Sequence, residues 1–294
     1  MEREPGAPYA VGSEPVGSFP RRQVLFQDLT STLCTFALSL AALAVSIGLG
    51  FARPTVRPFF VNDANHWYPF RNETLPYFVL LLVGLVVLTP VIALYEFFVY
   101  LERESFFAAL NHVLGFISAF AWSSMTTQCI KLYAGSLRPD FGSRCFGNGK
   151  FPPAAYSPGV VLSNMECTVA DARFLNSGRM SFVSGHTSTA MVFATYFALF
   201  LSRRARMLPE TRFRWLKTNL MYLGALITLL MAIFVGVSRI VDNRHFPADV
   251  VGGALVGIGF ALGIFMLIES NVRILHDKKY HPLSFNGFER PPVV

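Results

Sequence analysis

A chain of 294 residues that is 53% hydrophobic and 15% charged, with a mean hydropathy of +0.45, is too apolar for an ordinary soluble domain. Its net charge of +7 would suit nucleic acid if the basic residues lined one face; they lie instead between long apolar runs, where membrane orientation accounts for them, and no nucleic-acid partner is expected. Four cysteines do not make a disulfide scaffold in a chain this long, and none sits at zinc spacing, so no metal and no other cofactor is expected.

Residues 1–29 carry Pro, Gly and scattered charges without an apolar core, and read as a disordered tail rather than a cleavable signal peptide. Six stretches then reach the roughly 20 apolar residues that cross a hydrocarbon core: 33–51, 77–100, 108–130, 185–202, 218–236 and 250–268. The predicted fold is therefore all-α, a polytopic membrane protein with six transmembrane helices in a domain spanning 30–270. Between the fourth and fifth spans, Arg203, Arg204, Arg206, Arg212, Arg214 and Lys217 crowd against one acid, Glu210, which keeps that loop in the cytoplasm. Counting outward puts both termini inside, with Arg273, Lys278 and Lys279 of the tail 271–294 agreeing, and the segments 52–76, 131–184 and 237–249 outside. Asn72-Glu73-Thr74, the only Asn-x-Ser/Thr sequon, falls in the first outside loop, which makes Asn72 a candidate glycosylation site. Cys34 and Cys129 lie in spans, whereas Cys145 and Cys167 share the long outside loop, where a disulfide and two free thiols both remain open readings. A homo-oligomer is equally left open.

Polar residues near membrane depth are expensive and usually have a job. Lys131 and Arg138-Pro139 stand at the outer end of the third span, almost two helical turns apart, with Gly135 and Pro139 bracketing the expected helix end. Taken alone, two snorkelling basic side chains would explain them. Ser184-Gly185-His186 opens the fourth span, where free backbone N–H groups and the helix dipole favour an anion, although a Ser-Gly pair before a helix is more often only a cap. Ser238-Arg239, His245 and Asp249 cross from the fifth span to the sixth. If Pro247 opens the last helix, Asp249 falls in its first turn, close enough to take the second N–H of His245 and leave the other nitrogen free to attack; the plainer alternative is a capped helix start with a surface ion pair.

All three groups fall on one face by a topology argument that never used them. Lys131, Arg138 and Arg239, helix-start donors, two histidines and an orienting carboxylate suit a phosphoryl group. Phosphoryl transfer depends on positioning and on neutralising charge at the equatorial oxygens, which these cations supply without a metal. One histidine would attack phosphorus and the other protonate the leaving oxygen.

At these residues the chain resembles the type 2 phosphatidic acid phosphatase superfamily, whose signatures are Lys-x6-Arg-Pro, Pro-Ser-Gly-His and Ser-Arg-x5-His-x3-Asp. Ten fixed positions match in order, on the order of one chance in a million, and the resemblance runs from about residue 24 to 270. Phe59-Phe60-Val61-Asn62-Asp63, Tyr68-Pro69-Phe70 and Gly178-Arg179-Met180-Ser181-Phe182 resemble its eukaryotic lipid phosphate phosphatase branch; Val183 stands where many members have Pro. The resemblance implies a nucleophile at His245, its orienter at Asp249, a general acid at His186, and a phosphate held by Lys131, Arg138, Ser184, Gly185 and Arg239. It implies a membrane lipid phosphate as substrate, with phosphatidate, lysophosphatidate, sphingosine 1-phosphate, ceramide 1-phosphate and diacylglycerol pyrophosphate in the class, hydrolysed through a phosphohistidine. The rivals are a polyprenyl or dolichyl diphosphate phosphatase with the same chemistry, a catalytically silent relative acting as a scaffold, against which the retained His186, His245 and Asp249 argue, and a transporter, which would spread its charges through the spans.

Overall fold

The computed structural model describes residues 21–61, 63–103, 106–147, 161–162 and 167–280. Residues 1–20 and 281–294 of the two expected tails lie outside the described residues, while 21–29 and 271–280 continue the first and last helices.

The chain is a helical bundle. α1 (Arg21–Leu49) comes first, followed by a rod made of α2 (Tyr77–Leu81), a π-helical stretch (Leu82–Leu88) and α3 (Thr89–Arg103). The wide π turn is held by Thr89 Oγ1, which donates to the Gly84 carbonyl at 3.0 Å, and a Cβ at Gly84 would overlap the ring of Phe193. α4 (Phe106–Ala134), α7 (Gly185–Arg206), α8 (Arg214–Val241) and α9 (Pro247–Tyr280) complete the bundle. Short α5 (Phe141–Phe146) and α6 (Ala172–Gly178) stand outside it. α7 is central, packing against α4, α8 and α9, while α1 and α3 lean on α4.

Among the described residues, five segments are long and apolar enough to cross a membrane: Leu29–Leu49, Tyr77–Phe98, Ala109–Ala134, Arg214–Val241 and Pro247–Ser270. The expected fourth span, on α7, is not among them. Its surroundings explain why: Thr187, Ser188 and Thr189 are buried against other helices, so α7 does not need the uniformly apolar surface that lipid demands. α8 shows the opposite pattern, exposing Leu220, Leu223, Leu230 and Phe234 along its outer surface. A soluble protein rarely carries so large an apolar patch. The protein is an integral membrane protein.

Lipid tails are as apolar as leucine, so helix association here rests on close packing. Phe116, Phe193, Tyr196, Phe200 and Phe265 interlock between α4, α7 and α9, with Phe116 and Phe193 stacked at 5.2 Å. The α9–α7 seam is made by glycine: a Cβ at Gly253 would lie 2.5 Å from Ser184 O, and one at Gly257 would overlap Ser188 O. This close approach lays the first turn of α9 beside the first turn of α7.

At the far end of α7, Arg204 pairs with Glu96 of α3 and Arg203 Nε lies 2.8 Å from Glu269 Oε2 of α9. Two of the arginines counted in the basic loop between the fourth and fifth expected spans thus belong to α7 and tie it to other helices.

Above the opposite end sits a cap built from the described residues of 50–76 and from 135–147, 161–162 and 167–184. β1 (Phe59–Phe60) pairs antiparallel with β2 (Val161–Leu162). Phe59, Leu137, Phe141 and Phe146 form a small core there, and Cys145 and Cys167 are joined in a disulfide.

Candidate active site

Every predicted catalytic and phosphate-binding residue lies at the cap end of the bundle: at the end of α4 or in the loop after it, at the start of α7, at the end of α8, or around the start of α9. The segment 207–213 joins α7 to α8 at the other end, where the basic residues Arg203, Arg204 and Arg206 close α7 and Arg214 and Lys217 open α8.

α4 ends at Ala134, and Gly135 turns the chain with φ +54, a conformation that favours glycine; a Cβ there would also overlap the Thr55 carbonyl. Lys131 and Arg138 therefore do not share a helix face, as their spacing had suggested. Lys131 occupies the last turn of α4, where its Nζ donates to Met180 O at 2.7 Å. Arg138 comes from the loop, with its N–H donating to Gly178 O at 2.8 Å and His66 Nδ1 lying 3.2 Å from its carbonyl. Both are tied to the segment 178–180 beside the start of α7, and the charge of each bears on His245.

Ser184 caps α7, its Oγ accepting from Thr187 Oγ1 at 2.9 Å and, more weakly, from Thr187 N at 3.4 Å. Gly185 follows, packed beside Lys131, whose Cε would lie 3.4 Å from a Cβ at that position. His186 then projects from the first turn, its ring 5.2 Å from that of Tyr77.

Arg239 closes α8, and its carbonyl accepts from the N–H groups of Arg244 at 3.0 Å and His245 at 3.3 Å, folding the α8–α9 turn back so that His245 faces inward. Pro247 opens α9, and Asp249 lies in its first turn. The bond expected between His245 and Asp249 is not closed: Nδ1 and Oδ2 are 3.7 Å apart, beyond hydrogen-bond length. Asp249 Oδ2 instead accepts from Ser181 Oγ at 2.6 Å and from Phe246 N at 2.9 Å. The second of these bonds has a local cause. Phe246 N–H is one of the free donors at the start of α9, and an acid three residues on reaches back to it.

Burial holds the His245 imidazole well below its ordinary value, and Lys131, Arg138 and Arg239 press in the same direction, so the ring is neutral and can act as a nucleophile. Burial, then Arg144, lowers Arg138 to about 9, which leaves it cationic at neutral pH. Buried Arg138 Nε, Arg239 Nε, His186 Nε2 and His245 Nδ1 have no hydrogen-bond partner among the described residues. The unpaired Nε donors of Arg138 and Arg239 suit an anion, while His245 Nδ1 faces Asp249. Among the described residues, no group of three or more His, Cys, Asp or Glu side chains converges as a metal would require.

Sequence reasoning missed two residues of this site. Ser181 appeared only as part of a family pattern, and Glu73 only as the middle of the sequon. Asn72 itself is exposed.

The fold and this constellation define a membrane-bound phosphatase-like protein. The chain belongs to the PAP2 superfamily, whose family model matches residues 112–273 and takes in all ten signature positions from Lys131 to Asp249. It is 32% identical over 197 residues to lipid phosphate phosphatase 2 of Arabidopsis thaliana, covering 66% of this chain and 62% of that protein. Lipid phosphate phosphatase 1 of the same plant is 32% identical over 247 residues, 83% of this chain and 69% of that protein. Phospholipid phosphatase 1 of Mus musculus is 30% identical over 252 residues, 82% and 84% of the respective chains. These relatives put the chain in the eukaryotic lipid phosphate phosphatase branch that its loop motifs resemble. No solved structure matches it.

Proposed function

We propose that the protein is a lipid phosphate phosphatase that hydrolyses phosphate monoesters of phosphatidate, lysophosphatidate and related sphingolipid phosphates through a phosphohistidine, without Mg²⁺. The observation that carries this reading is the convergence of Lys131, Arg138, Arg239, His186 and His245, with buried donors unpaired, at one end of an apolar bundle. The three cations and the Ser184 and Gly185 backbone would hold the phosphoryl oxygens and neutralise the charge that builds there. His245 would attack phosphorus as the ester P–O bond breaks, while His186 protonates the departing alkoxide. Water would then attack the phosphohistidine, with His186 accepting its proton, and release inorganic phosphate. Asp249, fixed by Ser181, faces the far nitrogen of His245 and would stabilise the imidazolium side of that cycle.

In this reading α7 supplies a sixth span, both termini are cytoplasmic, and the site lies on the extracellular or lumenal side. That arrangement lets a lipid keep its tails in the bilayer while its headgroup enters. It is also the side that permits the Cys145–Cys167 disulfide and glycosylation of exposed Asn72. The test is release of inorganic phosphate from a panel of lipid phosphates in detergent micelles containing EDTA. Turnover of glycerolipid and sphingolipid monoesters supports the proposal. Turnover restricted to polyprenyl diphosphates, or restored only by Mg²⁺, contradicts it.

A further inference from the structure

The loop 50–76 sends one acidic side chain into the site. Glu73 Oε1 accepts from Arg239 Nη2 at 3.0 Å, and Glu73 Oε2 lies 3.9 Å from His186 Nε2. These are a cation assigned above to phosphate and the imidazole assigned to the leaving group. A guanidinium fork takes carboxylate and phosphate in the same manner, so the Glu73 carboxylate stands where a phosphoryl oxygen would bind.

Neighbouring contacts hold it there. Thr74 donates to Asp242 through its N–H at 2.8 Å and its hydroxyl at 2.6 Å, and Asp242 Oδ2 in turn lies 3.4 Å from Arg239 Nη1. Arg71 Nη1 donates to Val241 O at 3.1 Å, and Arg244 Nη2 donates to Arg71 O at 2.8 Å. Residues 71–74 are thus pinned to the α8–α9 turn while the Glu73 side chain, 32% exposed, keeps a path to solvent. It can swing out without unfastening the loop.

Resting on the function proposed above, we infer that Glu73 is a resident anion of the phosphate site, bound to Arg239 until the phosphate of a substrate displaces it, and that it thereby sets how tightly the site holds phosphate. No covalent bond changes in this exchange: the carboxylate turns outward and a phosphoryl oxygen takes its donor. A lipid anchored in the bilayer arrives at high local concentration and competes well. Free orthophosphate does not, so the same contact limits product inhibition.

The apparent dissociation constant of a ligand is its intrinsic constant divided by the fraction of sites left open, so a carboxylate that leaves about one site in ten open raises it about tenfold. Removing the charge with Glu73→Gln should therefore tighten orthophosphate binding on the order of tenfold, lower KM in parallel and leave kcat no higher. The experiment uses the full chain in detergent micelles. It reads the orthophosphate dependence of the melting temperature without substrate, and orthophosphate inhibition of lipid phosphate hydrolysis, for wild type, Glu73→Gln and Glu73→Asp. A tenfold lower half-saturating phosphate in the Gln variant supports the inference. An equal or weaker phosphate affinity, the result if Glu73 only fastens the loop, overturns it. If Glu73→Gln does not fold, Glu73→Asp decides, because its carboxylate falls a methylene short of Arg239 and should shift affinity in the same direction; an unchanged or weaker affinity there is equally fatal. The melting readout needs no turnover, so failure of the wild type to hydrolyse any lipid phosphate would defeat the proposed function without deciding this one.

Discussion

Gly253→Ala adds one methyl group at the seam that brings the two halves of the site together. A Cβ there lies 2.5 Å from Ser184 O and 3.3 Å from Ser184 N, the first about 1 Å inside ordinary contact distance. The atoms met are backbone, so no rotamer change relieves the overlap and α9 must move from α7. Overpacking of this kind costs about 1–3 kcal/mol, here near the upper end, and the better helix propensity of Ala returns about 1. The net loss of about 2 kcal/mol corresponds to a fall in Tm of about 5 °C. The effect on rate should be larger, since Ser184 N donates to Asp249 O at 2.9 Å across this seam and a 1 Å displacement of catalytic groups costs about 10²-fold. Gly259→Ala is the control, because its Cβ would meet nothing within 4 Å and it should gain about 1 kcal/mol with full activity. The assay is thermal unfolding and lipid phosphate turnover of both variants in the same micelles. Equal stability and equal turnover in the two would refute the packing account.

Opening the Cys145–Cys167 bridge by Cys145→Ser frees a loop with a sequence separation of 22 and should cost about 3 kcal/mol, seen as a lower Tm that dithiothreitol reproduces in the wild type. Ser181→Ala removes the 2.6 Å hydrogen bond to buried Asp249; steady-state kinetics should show kcat falling about 10–100-fold with KM little changed. Stability should also depend on pH through His245. Its folded imidazole resists protonation, whereas the unfolded one takes up a proton below about 6.5, so stability is full above that pH and declines as pH falls beneath it. His245→Asn should flatten the decline between about pH 6.5 and 5, and a slope unchanged by the substitution would assign the titration elsewhere.

Much of this was legible in the sequence because phosphoryl chemistry places polar residues at helix ends, where they stand out against apolar runs. Ser184 and Pro247 mark the starts of α7 and α9 by cap chemistry alone, and Gly135 marks the end of α4. The missed features depend on contacts between distant parts of the chain. Ser181 meets Asp249 across 68 residues and Glu73 meets Arg239 across 166, so no local period or spacing announces either. Arg203 and Arg204, counted with the basic loop, lie on α7 instead and pair with Glu269 and Glu96 from other helices, again contacts between distant parts of the chain. α7 differs from its expectation as the fourth span for a related reason: Thr187, Ser188 and Thr189 are buried against other helices, and α7 is not among the five segments apolar enough to cross a membrane among the described residues.

The central claim is that His245 carries the phosphoryl group. Rapid-quench labelling with phosphate-labelled lipid in the micellar enzyme tests it directly. The account predicts acid-labile, base-stable label on the wild type, none on His245→Ala, and label that still forms on His186→Ala when the substrate has a good leaving group. Label persisting in His245→Ala, or recovered on a serine or carboxylate, would contradict it.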